Sequence, residues 1–198
     1  MKIEPARMAL PEQAKAVQNL KCLPTADFER CSLPISLYLC TMKLQFWSVG
    51  KNHEPYIKEG VAIFTKRIAH YYPVEWNIIP SPKNSAMLSE MDLKKKEGET
   101  ILGFLLPTDH LVLLDENGKQ ISSEELAGFI QARSNESIKN IIFLIGGAYG
   151  VSDAVKKRAN YKWCLSKLVF PHQLVRLVLA EQVYRACTII RNEKYHHS

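Results

Sequence analysis

The sequence of 198 residues lacks the features that mark several common protein classes. Its five cysteines form no Cys-x-x-Cys pair, and no Cys/His group has the spacing of a zinc site. No apolar stretch reaches the roughly 18 to 20 residues that a membrane-spanning helix requires. The best candidate, Leu174–Ala180, is short and is followed by Glu181. We therefore expect neither a metal centre nor a membrane segment.

The cysteines also argue against a secreted disulfide framework. Their number is odd, and the apolar run Leu33–Cys40 has neither the basic flank nor the cleavage site of a secretion signal. Cys164 and Cys187 lie in apolar runs and are interpreted as small core residues. These features favour a cytoplasmic protein.

Long basic tracts are missing as well. The formal net charge is +6, which is compatible with an RNA partner but does not establish one. If RNA binds, its basic surface must be formed by folding or by two subunits. Apolar residues make up 46% of the chain, which is enough for a normal core.

Residues 1–41 differ from the rest of the chain. They hold Cys22, Cys31 and Cys40 and four of the ten prolines, and they show no sustained helical or strand period. We interpret them as a non-native or disordered N-terminal extension, with Met42 as the natural start and 42–198 as the folded domain. The alternative is a genuine arm that docks on a partner.

From Met42 onward, predicted strands alternate with predicted helices. The strands are Lys43–Val49, Val74–Ile79, Leu111–Asp115, Ile138–Ile145 and a short one within Tyr161–Ser166. The helices are Pro55–Tyr71, one within Ser85–Leu106, Ser122–Ala132 with a capping box formed by Ser122 and Glu125, Ser152–Arg158 and Pro171–Arg191. Glu116–Gly118 is predicted to be a turn. The alternation predicts an α/β fold with a parallel sheet flanked by helices on both faces.

Three segments follow predicted strand ends, where parallel sheets bind ligands. They are Leu113–Asp115, Gly146–Gly150 (GGAYG) and Leu165–His172. Glycines after a strand allow a ligand to approach the backbone, although a tight strand-to-helix turn explains them equally. GGAYG lacks the GxGxxG pattern and lies late in the chain, which disfavours a Rossmann enzyme.

The last predicted helix is apolar on nearly every side from Leu174 to Ile190. Such a helix must be buried from several directions, which predicts a two-fold dimer packed through it. The alternative, a central helix of a larger monomer, is disfavoured because only about 157 residues follow Met42.

Polar residues interrupt and follow this apolar helix. His172 and Arg176 share a face and could line a polar cleft at the dimer boundary. Alternatively, Arg176 or Arg185 pairs with Glu181 as a structural bridge. The tail 191–197 could reach the partner's pocket, or it is simply a frayed end.

Seven segments carry a resemblance to a known family. In this order between residues 42 and 196, they closely resemble the SPOUT-class methyltransferases that modify N3 of a pseudouridine in large-subunit (23S) ribosomal RNA: MKLQFWSVGK, KEGE, LLDENGK, SSEELA, FLIGGAYG, LSKLVFPHQLVRLVLAEQVYRA and the terminal YH. The resemblance implies a SPOUT-type fold with a C-terminal deep trefoil knot, S-adenosylmethionine as cofactor, a homodimer through the last helix, and the assembled ribosome as substrate.

The resemblance also implies site residues. The positions that match the family's cofactor contacts are Leu114, Gly146, Leu165, Ser166, Lys167, Leu168, Val169 and Phe170. His172 and His196 are the candidate bases, Arg176, Arg185 or Arg191 could stabilise an anionic nucleobase, and Tyr195 could stack on it. One alternative is a non-catalytic ribosome-binding or assembly factor with the same fold. Another is a nucleotide-binding enzyme that uses GGAYG, but no Lys-Ser/Thr follows that motif.

Overall fold

A computed structural model of the chain describes residues 42–195. The predicted extension 1–41 and the predicted base His196 lie outside the described residues. The described part contains strands β1 (Lys43–Val49), β2 (Val74–Ile79), β3 (His110–Lys119), β4 (Asn140–Ile145) and β5 (Tyr161–Trp163). Its helices are α1 (Pro55–Ile68), α2 (Glu90–Phe104), α3 (Ser123–Asn135), α4 (Asp153–Arg158) and α5 (His172–Ile190).

The strands form one parallel sheet in the order β2-β1-β4-β3-β5. Strand β4 is almost entirely apolar because it lies in the middle and is covered on both faces. Its Ile141 and Phe143 pack with α1, α3 and α5, whereas Ile142 and Leu144 pack with α2 and α4. The predicted parallel sheet with helices on both faces is confirmed.

Local sequence signals set several helix boundaries. Ser122 accepts a hydrogen bond from the backbone N–H of Glu125, and the Glu125 carboxylate accepts one from the N–H of Ser122. The predicted capping box is therefore confirmed. The helix predicted within Ser85–Leu106 begins only at Glu90, because Ser89 caps it and a short 3-10 turn precedes it.

The predicted turn at Glu116–Gly118 is wrong, because β3 continues through these residues to Lys119. The pairing of β3 with β5 shifts register between Leu114 and Lys119. A Cβ built on Gly118 would lie 2.7 Å from the carbonyl carbon of Lys162 and 2.8 Å from that of Trp163. Gly118 therefore permits close contact between two strands rather than a chain reversal.

Replacing Gly118 with alanine is expected to destabilise the protein by about 1–3 kcal/mol, since the new methyl group collides with backbone that cannot rotate away. Urea unfolding measures the change. Gly103→Ala is the matched control, because nothing lies within 4 Å of a Cβ at that helical position. Equal stability of the two variants would contradict the close contact between β3 and β5.

Helix α5 is buried by its own chain to a large extent. The sheet, α1 and α3 pack against it and bury Leu179, Ala180, Val183, Ala186 and Cys187. In contrast, the apolar residues of its first two turns remain partly exposed: Leu174, Val175, Leu177 and Val178. Burial raises the pKa of the Cys187 thiol to about 12, and Cys164 is buried as well. Both thiols are the core residues that the sequence predicts.

His110 at the start of β3 makes the stability of the fold depend on pH. Its ring lies 5.6 Å from that of Phe129, and its Nε2 is buried without a hydrogen-bond partner in the described part of the chain. Burial lowers the pKa of His110 below 6.5, and the charge of Arg133 lowers it further. Below pH 6.5 the unfolded chain therefore binds a proton more readily than the folded chain does.

We therefore expect the free energy of unfolding to fall as the pH falls through 6.5. His110→Phe should reduce this slope, because an aromatic ring then remains without a titrating group. Urea unfolding at about pH 7.5 and about pH 5.5 tests this expectation. An unchanged slope in the variant would exclude His110 as a source of the dependence.

Candidate active site

A cavity of about 640 Å³ opens beside the second half of β3 and the carboxyl ends of β4 and β5. The strand register explains its position, because Leu114 is aligned with both Ile145 and Trp163. These three residues therefore lie side by side across the sheet, and the chain segments that follow them surround the same space. The lining residues are 114–117, 145–151, 163–170, Lys94, Lys156, His172 and Val175. The structure thus brings together the three segments that the sequence singled out.

All eight predicted cofactor-contact positions line this cavity: Leu114, Gly146, Leu165, Ser166, Lys167, Leu168, Val169 and Phe170. Leu114 lies within β3, Gly146 follows the neighbouring strand β4, and the other six form the segment after β5. Leu168 and Val169 are 71% and 92% exposed, so this segment presents an uncovered apolar surface at the cavity mouth. Their contact with a ligand stays a prediction.

The glycine loop, defined as Gly146–Gly150, forms one wall of the cavity. The N–H of Gly150 donates to the carbonyl of Gly147 at 3.0 Å, which closes the loop into a narrow hairpin. Gly150 has a φ of +84°, a conformation that favours glycine. A Cβ on Gly146 would lie 2.8 Å from Cγ1 of Val151. The loop is therefore a tight turn whose three glycines present bare backbone beside Ala148 and Tyr149.

His172 connects the start of α5 to this loop. Its Nε2 hydrogen bonds to the carbonyl of Gly146. A carbonyl only accepts, so Nε2 carries the hydrogen and Nδ1 is the unprotonated nitrogen of the neutral ring. Burial lowers the pKa of His172. The neutral ring is therefore favoured, and Nδ1 is its only nitrogen that could accept a proton.

Arg176 does not line the cavity. It is only 1% exposed, and its Nη1 lies 3.4 Å from both Nδ1 of His53 and Oε1 of Gln173. Its Nε has no hydrogen-bond partner among residues 42–195. Burial lowers its pKa, and the charge of Glu54 opposes this shift. Arg176 therefore does not share a polar cleft with His172 within one chain.

The alternative of a structural bridge to Glu181 applies to Arg185. Arg185 Nη2 lies 2.6 Å from Oε1 of Glu181, one helical turn away. The guanidinium also lies 4.9 Å from the ring centroid of Tyr195.

Tyr195 packs against its own chain's α5. Its ring centroid lies 4.8 Å from that of Tyr184, and its hydroxyl donates to Glu181 at 3.4 Å. Burial and the neighbouring carboxylate of Glu181 raise its pKa. Tyr195 is not a lining residue of the cavity in its own chain.

The sequence did not single out Lys94, Lys156 or Glu97 at this site. Lys94 and Lys156 line the cavity together with Asp115 and Glu116, and Lys156 Nζ lies 3.9 Å from Asp115. Glu97 is buried behind the glycine loop. In the sequence, the two lysines look like any other surface charges. Only Glu97 gave a sequence signal, because it belongs to the KEGE segment that resembles the family. Residues 42–195 contain no group of three or more potential metal ligands, and none of their helices is long and apolar enough to cross a bilayer.

Comparison with known proteins gives one consistent family. Residues 42–196 match the sequence profile described as Predicted SPOUT methyltransferase. The chain is 54% identical over 156 residues to the ribosomal RNA large subunit methyltransferase H of Cytophaga hutchinsonii, covering 79% of this chain and 100% of that protein. The protein of the same name from Christiangramia forsetii is 47% identical over 156 residues, which cover 79% of this chain and 99% of that protein. The one from Bacillus pumilus is 44% identical over 158 residues, which cover 78% of this chain and 99% of that protein. The chain therefore belongs to the SPOUT methyltransferase family.

Proposed function

We propose that the protein transfers a methyl group from S-adenosylmethionine to N3 of a pseudouridine in the large-subunit (23S) rRNA of the assembled ribosome. The observation that carries this proposal is the cavity in which all eight predicted cofactor positions meet. The relatives' names, which specify ribosomal RNA of the large subunit, support the substrate class.

The residues of the cavity fit such a cofactor. Its volume lies within the range of about 300–1,000 Å³ that is typical of small-molecule sites. The three glycines of the loop offer backbone groups that carry no side chain, and Leu114, Leu168 and Phe170 offer apolar surface for an adenine ring. The lining carries charges of both signs, Asp115 and Glu116 beside Lys94, Lys156 and Lys167, which suits a ligand with a sulfonium, an ammonium and a carboxylate group. When bound, the cofactor supplies an electrophilic methyl group.

The chain's own residues would then position the nucleobase and remove a proton. N3 of a pseudouridine carries a hydrogen between two carbonyl groups, and it becomes a good nucleophile when that proton leaves. A positioned base contributes about 10²–10⁴-fold to such a step, and alignment of the reacting atoms contributes up to roughly 7–11 kcal/mol. His196 and Nδ1 of His172 are the candidate bases. Tyr195 would stack on the base, and Arg185 or Arg191 would stabilise its anion. Arg176, the third candidate, is buried beside His53 in its own chain, so it would have to be uncovered before it could take this role.

We propose a homodimer packed through α5 as the active form. The exposed Leu168 and Val169 and the partly exposed Leu174 and Val178 form an apolar surface at the start of α5. A two-fold partner would cover this surface and could bring its tail to the cavity. Such an arrangement explains why Tyr195 does not contribute to the cavity of its own chain.

Three further proposals follow from the family. The chain after β4 would be threaded as a deep trefoil knot. Residues 42–198 would form the catalytic domain, with residues 1–41 as a dispensable extension. The site of action would be the cytoplasm, where ribosomes and reduced thiols coexist.

Calorimetry with S-adenosylmethionine tests the proposed cofactor. We expect one molecule to bind per chain, with the same affinity for residues 42–198 as for the full chain. A non-catalytic ribosome-binding factor with the same fold predicts no binding. The absence of binding heat for a folded protein at several temperatures would therefore favour that alternative.

A further inference from the structure

The KEGE segment carries part of the family resemblance, but no chemistry has been assigned to it. Its Glu97 on α2 is only 5% exposed and lies behind the glycine loop. We propose that Glu97 is a positioning residue that holds the glycine loop in the form that lines the cavity. The proposal rests on the proposed function only for the identity of the ligand that the loop contacts.

The contact between Glu97 and the loop is close. A Cβ built on Gly147 would lie 2.4 Å from Oε2 of Glu97 and 3.1 Å from its carboxyl carbon. The carboxyl group therefore fills the space that a side chain at position 147 would need. Ser81 holds the carboxyl group from the other side, since its hydroxyl donates to Oε1 of Glu97 at 3.1 Å.

Gly98, the next residue of α2, allows the chain just after the loop to pack closely against the helix. A Cβ on Gly98 would lie 2.2 Å from Oγ of Ser152, and that hydroxyl accepts a hydrogen bond from the N–H of Val155 at the start of α4. Glu97 and Gly98 thus contact Gly147 within the loop and Ser152 just beyond it. Because the hairpin between Gly147 and Gly150 is internally hydrogen bonded, displacement of Gly147 would move the whole loop.

The conservative replacement for Glu97 is glutamine. Burial raises the pKa of Glu97, and the hydrogen bond from Ser81 opposes this shift. The environment therefore favours an uncharged group of this shape more than an exposed site does. A glutamine retains the volume and an oxygen that accepts from Ser81, whereas alanine removes both and aspartate withdraws the carboxyl group by one methylene.

The first test measures loop order and cofactor affinity separately. Glu97→Ala and Glu97→Asp should accelerate hydrogen exchange of the amides at 146–151 in the cofactor-free protein. They should weaken S-adenosylmethionine binding about tenfold and raise its KM with little change in kcat at saturation. Glu97→Gln should retain the amide exchange, the S-adenosylmethionine affinity and the KM of the wild type. Glu99→Ala is the matched control, because Glu99 is exposed on the same helix.

The second test is a double-mutant cycle with Gly147→Ala. In the wild-type background, the new methyl group meets the carboxyl group of Glu97, and we expect about tenfold weaker binding of S-adenosylmethionine. In the Glu97→Ala background that collision is removed, so the same change should have little further effect.

Additive effects in this cycle would overturn the proposal, as would normal loop exchange and normal affinity in folded Glu97→Ala or Glu97→Asp. A loss of affinity in Glu97→Gln as large as that in Glu97→Ala would also contradict it. If the wild type binds no S-adenosylmethionine, the proposed function fails, whereas the exchange measurements still decide whether Glu97 holds the loop.

Discussion

Gly146→Val is expected to reduce methyl transfer by roughly 100-fold through loss of cofactor binding. A Cβ at position 146 would lie 2.8 Å from Cγ1 of Val151 and 3.2 Å from the carbonyl carbon of Gly150. Val151 is buried, so it has little room to move. The loop must therefore shift into the cavity, and the two additional methyl groups of valine occupy volume beside it.

Calorimetry measures the affinity of this variant for S-adenosylmethionine, and thermal unfolding monitors its fold. Gly128→Val on α3 is the matched control, because nothing lies within 4 Å of a Cβ at that position. We expect the control to bind normally. Normal affinity of Gly146→Val would contradict the assignment of the glycine loop to the cofactor site, since the protein would then tolerate bulk where close approach is required.

His196→Ala is expected to lower kcat by about 10²–10⁴-fold while leaving S-adenosylmethionine affinity unchanged, because the proposed role of His196 is proton removal from the nucleobase. Single-turnover transfer to ribosomes separates this loss from ribosome binding. Tyr195→Phe is the companion variant, because it retains the ring for stacking and removes the hydroxyl that donates to Glu181. If Tyr195→Phe and His196→Ala together leave transfer unchanged, the tail supplies neither the base nor a hydroxyl group to the reaction, and Nδ1 of His172 becomes the candidate base.

In the proposed homodimer, mixed dimers decide which subunit's cavity the tail acts on. A dimer of one Gly146→Val chain and one His196→Ala chain has one intact site only if each tail acts on the partner's cavity. After random mixing, half of the dimers are heterodimers with one intact site of two, so about one quarter of wild-type activity should return. No recovery would show that the tail acts on its own chain, provided that chromatography of differently tagged chains confirms exchange.

The sequence predicts the sheet well because the evidence for it is local. The apolar run of β4 and the capping box at Ser122 are each encoded within a few consecutive residues. The convergence of Leu114, Gly146 and the segment after β5 also follows, since carboxyl ends of neighbouring parallel strands meet at one edge. A ligand site could therefore be located before any side-chain position was known.

The features that the sequence did not predict depend on contacts between distant parts of the chain. Gly118 resembles a turn residue, but its role is set by the backbone of Lys162 and Trp163 more than 40 positions later. The spacing of His172 and Arg176 correctly suggests a common helix, but Arg176 is buried beside His53, whereas His172 bonds to the glycine loop. The proposed role of Glu97 likewise depends on a distant contact, which forms when α2 packs against the glycine loop.

The most direct test of the central claim uses S-adenosylmethionine with a deuterated methyl group. The protein is incubated with ribosomes from cells that lack the corresponding methylation, and the nucleosides of the large-subunit rRNA are analysed by mass spectrometry. We predict a single labelled nucleoside, a pseudouridine that carries the deuterated methyl group at N3, and roughly 100-fold slower labelling with Gly146→Val. Label on another atom or another nucleoside, or unlabelled rRNA from a protein that binds the cofactor, would contradict the proposed reaction.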